Sequence, residues 1–414
     1  MKQILSIFLC AFAWTILADA QDIKRGWNIG PLPAVGYVSD LGLQYGALCD
    51  FYYYGDGSTF PAYMHKFNIQ AAQYTKGSGI YHFFYDSKYL IPSLRVTFAA
   101  SYLPDKMKGF YGFNGNSSPY DDQFKSGYYA LDRRMTRIMG IVQKNFSDNL
   151  GWAAGLTFYK FNINRVKDKA YADETTLYDQ YVSSGIIPAD EAKGGSLFEL
   201  KAGMVYDTRD HEAAPSNGMY AELMFFGSPD IIEKNDNAYL KLSAQISKFI
   251  PLADRLVLAG RATYQGTLAG TPPFYVQPTI STLYLRQINS EGLGGLNTIR
   301  GILLSRLAGD GYFWGNVELR WKMFNFRFLN QDWYAGLNPF FDFGQVVQPY
   351  RLDEMKASND SSIYSGKSEN MHFSAGVGLK LVMNRNFVIS VEFARPFDSN
   401  DGKSGFYFGL NYIF

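Results

Sequence analysis

Four histidines, His65, His82, His211 and His372, are the side chains best suited to proton transfer or metal ligation, and their spacing suits neither. No serine motif or metal-ligand spacing surrounds them. Residue parity places His65 facing lipid, His82 and His372 facing inward near strand ends, and His211 in a short turn. Asp207, Asp210, His211 and Glu212 cluster along the chain, in a pattern that fits a solvated turn better than a catalytic site. Cysteine chemistry is equally sparse. Cys10 lies inside an N-terminal apolar stretch, which leaves Cys49 without an internal disulfide partner. An enzyme is therefore not expected, nor is any cofactor or metal.

The chemistry on offer is electrostatic. A long connector, about 271–310, carries Thr282-Leu283-Tyr284-Leu285 and then Gly292-Leu293-Gly294-Gly295-Leu296-Asn297-Thr298-Ile299-Arg300-Gly301-Ile302. Apolar residues and glycines on this scale predict a loop that folds back and packs. One Arg amid such a stretch needs a carboxylate partner if it is buried. Glu318 and Asp342 have the right parity, the latter in Phe341-Asp342-Phe343-Gly344. A bidentate contact with one of them could pin the loop.

The elements that must position these groups are strands. Leu94, Val96, Phe98, Ala100 and Tyr102 alternate with Arg95, Thr97, Ala99 and Ser101. Leu240, Leu242, Ala244 and Ile246 alternate with Lys241, Ser243, Gln245 and Ser247. Val317, Leu319, Trp321 and Met323 alternate with Glu318, Arg320 and Lys322, and Ile389, Val391 and Phe393 with Ser390, Glu392 and Ala394. One face suits lipid, while the charges fall on what must be an inner, watered face. Strands are expected near 31–38, 41–54, 63–75, 79–90, 93–104, 127–143, 150–164, 196–208, 218–227, 238–250, 254–270, 311–325, 332–347, 371–383, 387–397 and 405–414. That is about sixteen, an even number, as bacterial single-chain barrels have. The long connectors, about 105–126, 165–195, 271–310 and 348–370, all follow odd-numbered strands. Short turns on the periplasmic side and long loops outside are the asymmetry of an outer-membrane barrel.

The last strand sets Phe406, Phe408, Leu410, Tyr412 and Phe414 on one apolar face, as a closing strand in lipid requires. The first strand, its partner, carries Pro31, Pro33 and Gly36. Proline cannot donate to a ladder. Either the weakest pairing lies at this seam, or the prolines precede the paired portion.

Composition agrees. The 414 residues are 47% hydrophobic and 17% aromatic, with 40 Gly and a net charge of +1. That charge gives no electrostatic case for nucleic acid. Mean hydropathy is −0.16, and beyond the N-terminus no apolar run approaches the ~18 residues of a membrane helix. Residues 1–20 read as a signal peptide, with Lys2, an apolar stretch from Ile4 to Leu17, and Ala18-Asp19-Ala20 before Gln21. A short periplasmic segment, 21–30, and a barrel, 31–414, follow.

These motifs together resemble the outer-membrane assembly-factor superfamily, the BamA/TamA-like bacterial surface antigen barrels. Ile299-Arg300-Gly301-Ile302 is similar to that family's Val-Arg-Gly-Phe/Tyr lid motif, with two conservative departures. Phe341-Asp342-Phe343-Gly344 resembles the strand motif that holds the lid arginine, and Glu318 sits where a second acidic partner is found. Tyr206-Asp207-Thr208-Arg209-Asp210, with Gly218 after Pro215-Ser216-Asn217, resembles a mid-barrel strand-end and turn signature. The resemblance implies an all-β transmembrane barrel with an inward-folded lid, locked by Arg300, Gly301, Glu318, Asp342 and Gly344. It implies a role in protein insertion or translocation through the first–last seam. The chain departs from the family in one respect: only about ten residues separate Gln21 from the first expected strand, so no POTRA domain fits there. The expected partners are outer-membrane lipid, unfolded outer-membrane clients and a separate periplasmic protein. A diffusion channel or a partner-binding scaffold is the alternative.

Overall fold

Alternation becomes a closed wall in the computed structural model, which describes residues 24–60, 63–124, 127–166, 175–212, 214–229, 238–283, 290–328, 331–383, 387–410 and 412–414. The expected signal peptide, with Cys10, and the Tyr284-Leu285 pair lie outside them. Seventeen strand segments form one antiparallel sheet. Trp27–Pro33 and Gly36–Val38 are two halves of one pass along Gly42–Tyr53, so the barrel has sixteen strands. We number them β1 (Trp27–Pro33 with Gly36–Val38), β2 (Gly42–Tyr53), β3 (His65–Tyr74), β4 (Gly79–Ile91), β5 (Leu94–Gly109), β6 (Ala130–Asn145), β7 (Leu150–Asn164) and β8 (Ser196–Asp207). The second half comprises β9 (Gly218–Ser228), β10 (Tyr239–Ala253), β11 (Leu256–Gly270), β12 (Gly311–Phe328), β13 (Gln331–Gln348), β14 (His372–Met383), β15 (Phe387–Pro396) and β16 (Gly405–Leu410).

Outward positions are apolar: Phe98, Tyr102, Leu240, Ile246, Val317, Trp321 and Phe393 are all exposed. Inward positions are polar and buried: Thr97, Ser101, Lys241, Ser243, Glu318, Arg320 and Glu392. A half-lipid, half-lumen wall requires this division. The long connectors follow β5, β7, β11 and β13, and they meet at one end, which we take as the outer end.

There the loops form a dome. Phe110 and Phe113 from the loop after β5 meet Tyr178 and Tyr181 of α1 (Leu177–Ser183) and Tyr350 after β13. Edge-to-face contacts at 5.3 Å (Phe113–Tyr181) and 4.8 Å (Phe113–Tyr350) knit three loops together. The aromatic, glycine-rich stretch Gly109–Gly115 therefore packs over the barrel mouth. A capping box between Thr176 and Asp179 starts α1.

Both ends of the wall differ from the sequence expectation. β1 begins at Trp27, inside the segment assigned to a periplasmic leader, because its pairing with β2 already runs from Trp27↔Tyr53. The final strand ends at Leu410 rather than at Phe414. Tyr412, Ile413 and Phe414 turn inward and are buried.

Candidate functional site: a locked lid and a short seam

The connector between β11 and β12 folds into the barrel, and its Arg300 has no solvent exposure. Its guanidinium donates Nε to Asp342 Oδ2 and Nη2 to Asp342 Oδ1, both at 2.8 Å, in a bidentate fork. The backbone N–H of Arg300 donates to the same carboxylate at 3.0 Å. Nη1 reaches Glu318 at 2.7 Å and Glu392 at 3.3 Å. The guanidinium Cζ lies 3.4 Å from the Phe340 ring centroid. Arg320 bonds Glu318 at 2.8 Å, and Lys380 forms an ion pair with Glu392. Three cations thus face three carboxylates, which meets the condition that buried charge be paired.

Two glycines admit the lid. Gly301 has φ +91, and a Cβ there would lie 3.0 Å from the backbone of Ala394 and Arg395. A Cβ at Gly344 would lie 2.8 Å from Ile299 and Trp314 side chains. The N–H of Gly301 donates to Tyr407 Oη at 2.9 Å. One dipeptide, Arg300-Gly301, therefore touches β12, β13, β15 and β16. Parity places Glu392, Lys380 and Tyr407 on the inner wall, but nothing along the chain marks them as lid partners.

Three more tethers hold the lid. Arg306 donates to the carbonyls of Ser118 (2.9 Å) and Asn400 (3.1 Å). Arg261 of β11 bonds Asn297 O at 2.9 Å. Glu291 pairs with Arg133 of β6 and, at 3.1 Å, with Lys108 of β5. Burial alone would raise the Glu291 pKa, but these two cations pull it down to about 2.

The seam is the second feature. Among the described residues β16 meets β1 through Tyr407↔Val38 and Phe408↔Tyr37, with Ser39 N donating to Phe406 O at 3.2 Å and Phe406 N to Ser39 Oγ at 2.7 Å. By contrast β13 and β14 stay paired from Trp333↔Met383 to Gly344↔His372. Backbone donors on a strand point alternately to its two neighbours. Gly26 N and Ala34 N donate to β2 and the turn after it, at Gly55 O and Gly46 O, whereas Ser39 N donates toward β16. Odd-numbered donors of β1 thus face the seam. Pro31 and Pro33 occupy two of those positions and have no N–H to offer. They do not pair with the final strand; across β2 they oppose Cys49 and Ala47. If the observed register continued, Tyr412 would oppose Pro33 and Phe414 would oppose Pro31.

The chain end goes elsewhere, which corrects the placement of Tyr412 and Phe414 on the lipid face. Phe406 and Leu410 are exposed on that face and Phe408 is half-buried. Beyond them the tail enters the lumen. Arg320 lies 4.2 Å from the Tyr412 ring centroid and 4.9 Å from that of Phe414, and Arg261 lies 5.1 Å from Phe414. Arg320 Nη2 donates to Phe414 O at 2.8 Å, and Arg261 Nη1 to Ile413 O at 3.2 Å. Two inner cations offer the aromatic tail more than a donor-poor edge does. Gly36, at the start of the seam-pairing half of β1, leaves no room for a Cβ, which would lie 3.1 Å from Phe408 O.

The turn signature lies at the short-connector end of β8 and β9. Arg209 forms a two-point pair with Asp207 at 2.9 and 2.8 Å and covers the Tyr220 ring. Asp210 accepts from Ser216 N at 2.8 Å and Asn217 N at 3.1 Å. Gly218 takes φ +103 where the chain re-enters β9. These contacts close a turn and belong to neither lid nor seam. The histidines are scattered: His65 contacts Tyr85, His82 meets Ser101, His211 accepts from Ala214 N, and His372 binds Asp401 at 2.7 Å.

The family model described as the Omp85 superfamily domain matches residues 71–414. No curated protein matches the chain. Among solved structures, BamA from Haemophilus ducreyi lacking POTRA domains 1-3 is similar at 16% identity and TM-score 0.59, over 94% of this chain and 71% of that one. CdiB from Escherichia coli is similar at 12% identity and TM-score 0.57, over 94% of this chain. This chain spans 63% of the CdiB chain. At such identities the likeness concerns the fold.

Proposed function

This chain belongs to the Omp85 superfamily of outer-membrane barrels, and we propose that it assists protein insertion or translocation at the outer membrane by offering the β1 edge at its seam to a client strand. The observation that carries this reading is the seam itself. Among the described residues two ladder pairs and the Ser39–Phe406 contacts hold it, and the final residues leave the wall. In hydrocarbon each unpaired backbone group costs several kcal/mol, so wall edges are normally closed. The seam-facing carbonyls of β1, and the donors of Trp27 and Ile29, remain for a strand that pairs by augmentation. A client strand bound there would complete the ladder that the tail of this chain leaves open.

The lid supports the same mechanics. Arg300 and Gly301 tie β12, β13, β15 and β16 into one unit, so movement concentrates on the β1 side. Delivery of clients falls to a separate periplasmic partner, and residues 1–20 serve as the export signal. The test is the folding rate of an unfolded test barrel in liposomes with and without this protein. Faster folding with the protein supports the proposal, and equal rates contradict it.

A further inference from the structure

The outward wall near the seam carries a cation where a lipid-facing strand should be apolar. Arg395, the penultimate residue of β15, shares its face with the exposed Phe393 and Phe397. It pairs across to Ala375 of β14, whose outward neighbours are Phe373 and Val377. The small Ala375 leaves an open groove of about 700 Å³, lined by Arg395, Pro396, Phe397, Ser399, Gly402 and Lys403 as well. Phe341, Phe373 and Phe397 stand together on this wall, with ring centroids 5.7 to 6.5 Å apart, and Phe397 is 67% exposed. Lys403 at the upper rim has an exposed side chain and pairs with Asp122 at 2.6 Å. Among the described residues Arg395 has no ion pair or side-chain hydrogen bond.

Height on the wall decides what this arrangement means. β15 runs toward the outer end and finishes at Pro396, so Arg395 stands at the level of the head groups. A lipid-facing arginine is tolerated at that level and strongly disfavoured deeper in the hydrocarbon. Aromatic rings mark the same interface. Below Arg395 the same outward face continues through the cross-strand pair Phe393 and Val377, a surface for acyl chains. A guanidinium is the side chain best shaped for phosphate.

We propose that this groove binds the anionic phosphate headgroup of a membrane lipid, with Arg395 as the main contact, Lys403 as a rim contact and Ala375 providing the space. The site lies on the strand next to β16 and places an ordered lipid beside the seam. This reading needs only the outer-membrane setting and holds whether or not the seam passes clients.

The experiment is native mass spectrometry of the detergent-solubilised barrel, titrated separately with phosphatidylglycerol, phosphatidylcholine and inorganic phosphate. Phosphatidylglycerol should be retained, with the other two lost. Arg395→Ala should weaken retention about fivefold, the effect of one cation at a charged membrane surface. Lys160→Ala, which removes another exposed cation near the outer end of β7, should change nothing. Ala375→Leu keeps the charge and fills the groove, so it should reproduce the loss and decides the matter if Arg395→Ala does not fold. Equal retention of phosphatidylcholine would overturn the proposal, as would undiminished binding in Arg395→Ala or Ala375→Leu. Equal binding of inorganic phosphate would make the groove a free-anion site and overturn the lipid assignment.

Discussion

Arg300 keeps three carboxylates together in a fully buried pocket. Removing one partner of a buried ion pair costs about 3–5 kcal/mol, because the remaining charges are left unsatisfied. Arg300→Ala should therefore destabilise the barrel on that scale and still reach the membrane, read as loss of heat-resistant migration in the membrane fraction. Arg300→Lys should rescue only part, since an ammonium cannot fork onto Asp342. Glu291 gives the lid an acid dependence. Its folded pKa, about 2, lies below its ordinary value. The stability it contributes is therefore complete above the ordinary carboxylate range and is lost as pH falls toward about 2. Protease cleavage within 271–310 should rise across that interval, and Glu291→Gln should flatten the rise. Arg300, Glu318 and Asp342 can be picked out along the chain because the one arginine within the apolar stretch Gly292–Ile302 demands a carboxylate and parity restricts the choice. Lys380 lies one strand and Glu392 two strands beyond Asp342, and only the folded wall brings them to the lid.

Among the elements, β1 and β16 show where strand patterning stops being informative. Period-two alternation runs unbroken to Phe414. It cannot distinguish an aromatic in lipid from one stacked on an inner cation, so the inward turn after Leu410 leaves no mark in the pattern. The prolines do leave one, but their effect depends on which neighbour each donor faces, and that is set by the register. Pro31→Val with Pro33→Val should restore two donors to the seam and draw the tail back into the wall. Continued register would place Ile413 opposite Leu32. Disulfide yield between Leu32→Cys and Ile413→Cys, in a Cys49→Ser background, should be low with the prolines present and several-fold higher without them. Equal yields would mean that the tail stays inside for reasons of its own.

At the scale of the whole molecule, the lid is anchored inside the lumen and the loop dome covers the outer mouth. A barrel of about sixteen strands could otherwise hold an aqueous channel. Planar-bilayer recordings should show small, flickering currents, and Arg300→Ala should raise them by freeing the lid. A large steady conductance in the unaltered protein would favour a diffusion channel. Strand number and loop asymmetry are readable from alternation and connector length, since both follow from crossing a bilayer with polar inner and apolar outer faces. The dome is harder to read, because the contacts among Phe113, Tyr181 and Tyr350 join loops distant in sequence. The central claim is that clients enter through the seam, and a reversible lock on that seam tests it most directly. Tyr37→Cys with Phe408→Cys, again in Cys49→Ser, joins residues that are paired across it. In the liposome folding assay the oxidised form should lose the acceleration of a test barrel, and reduction should restore it. Full acceleration with the seam cross-linked would contradict the account.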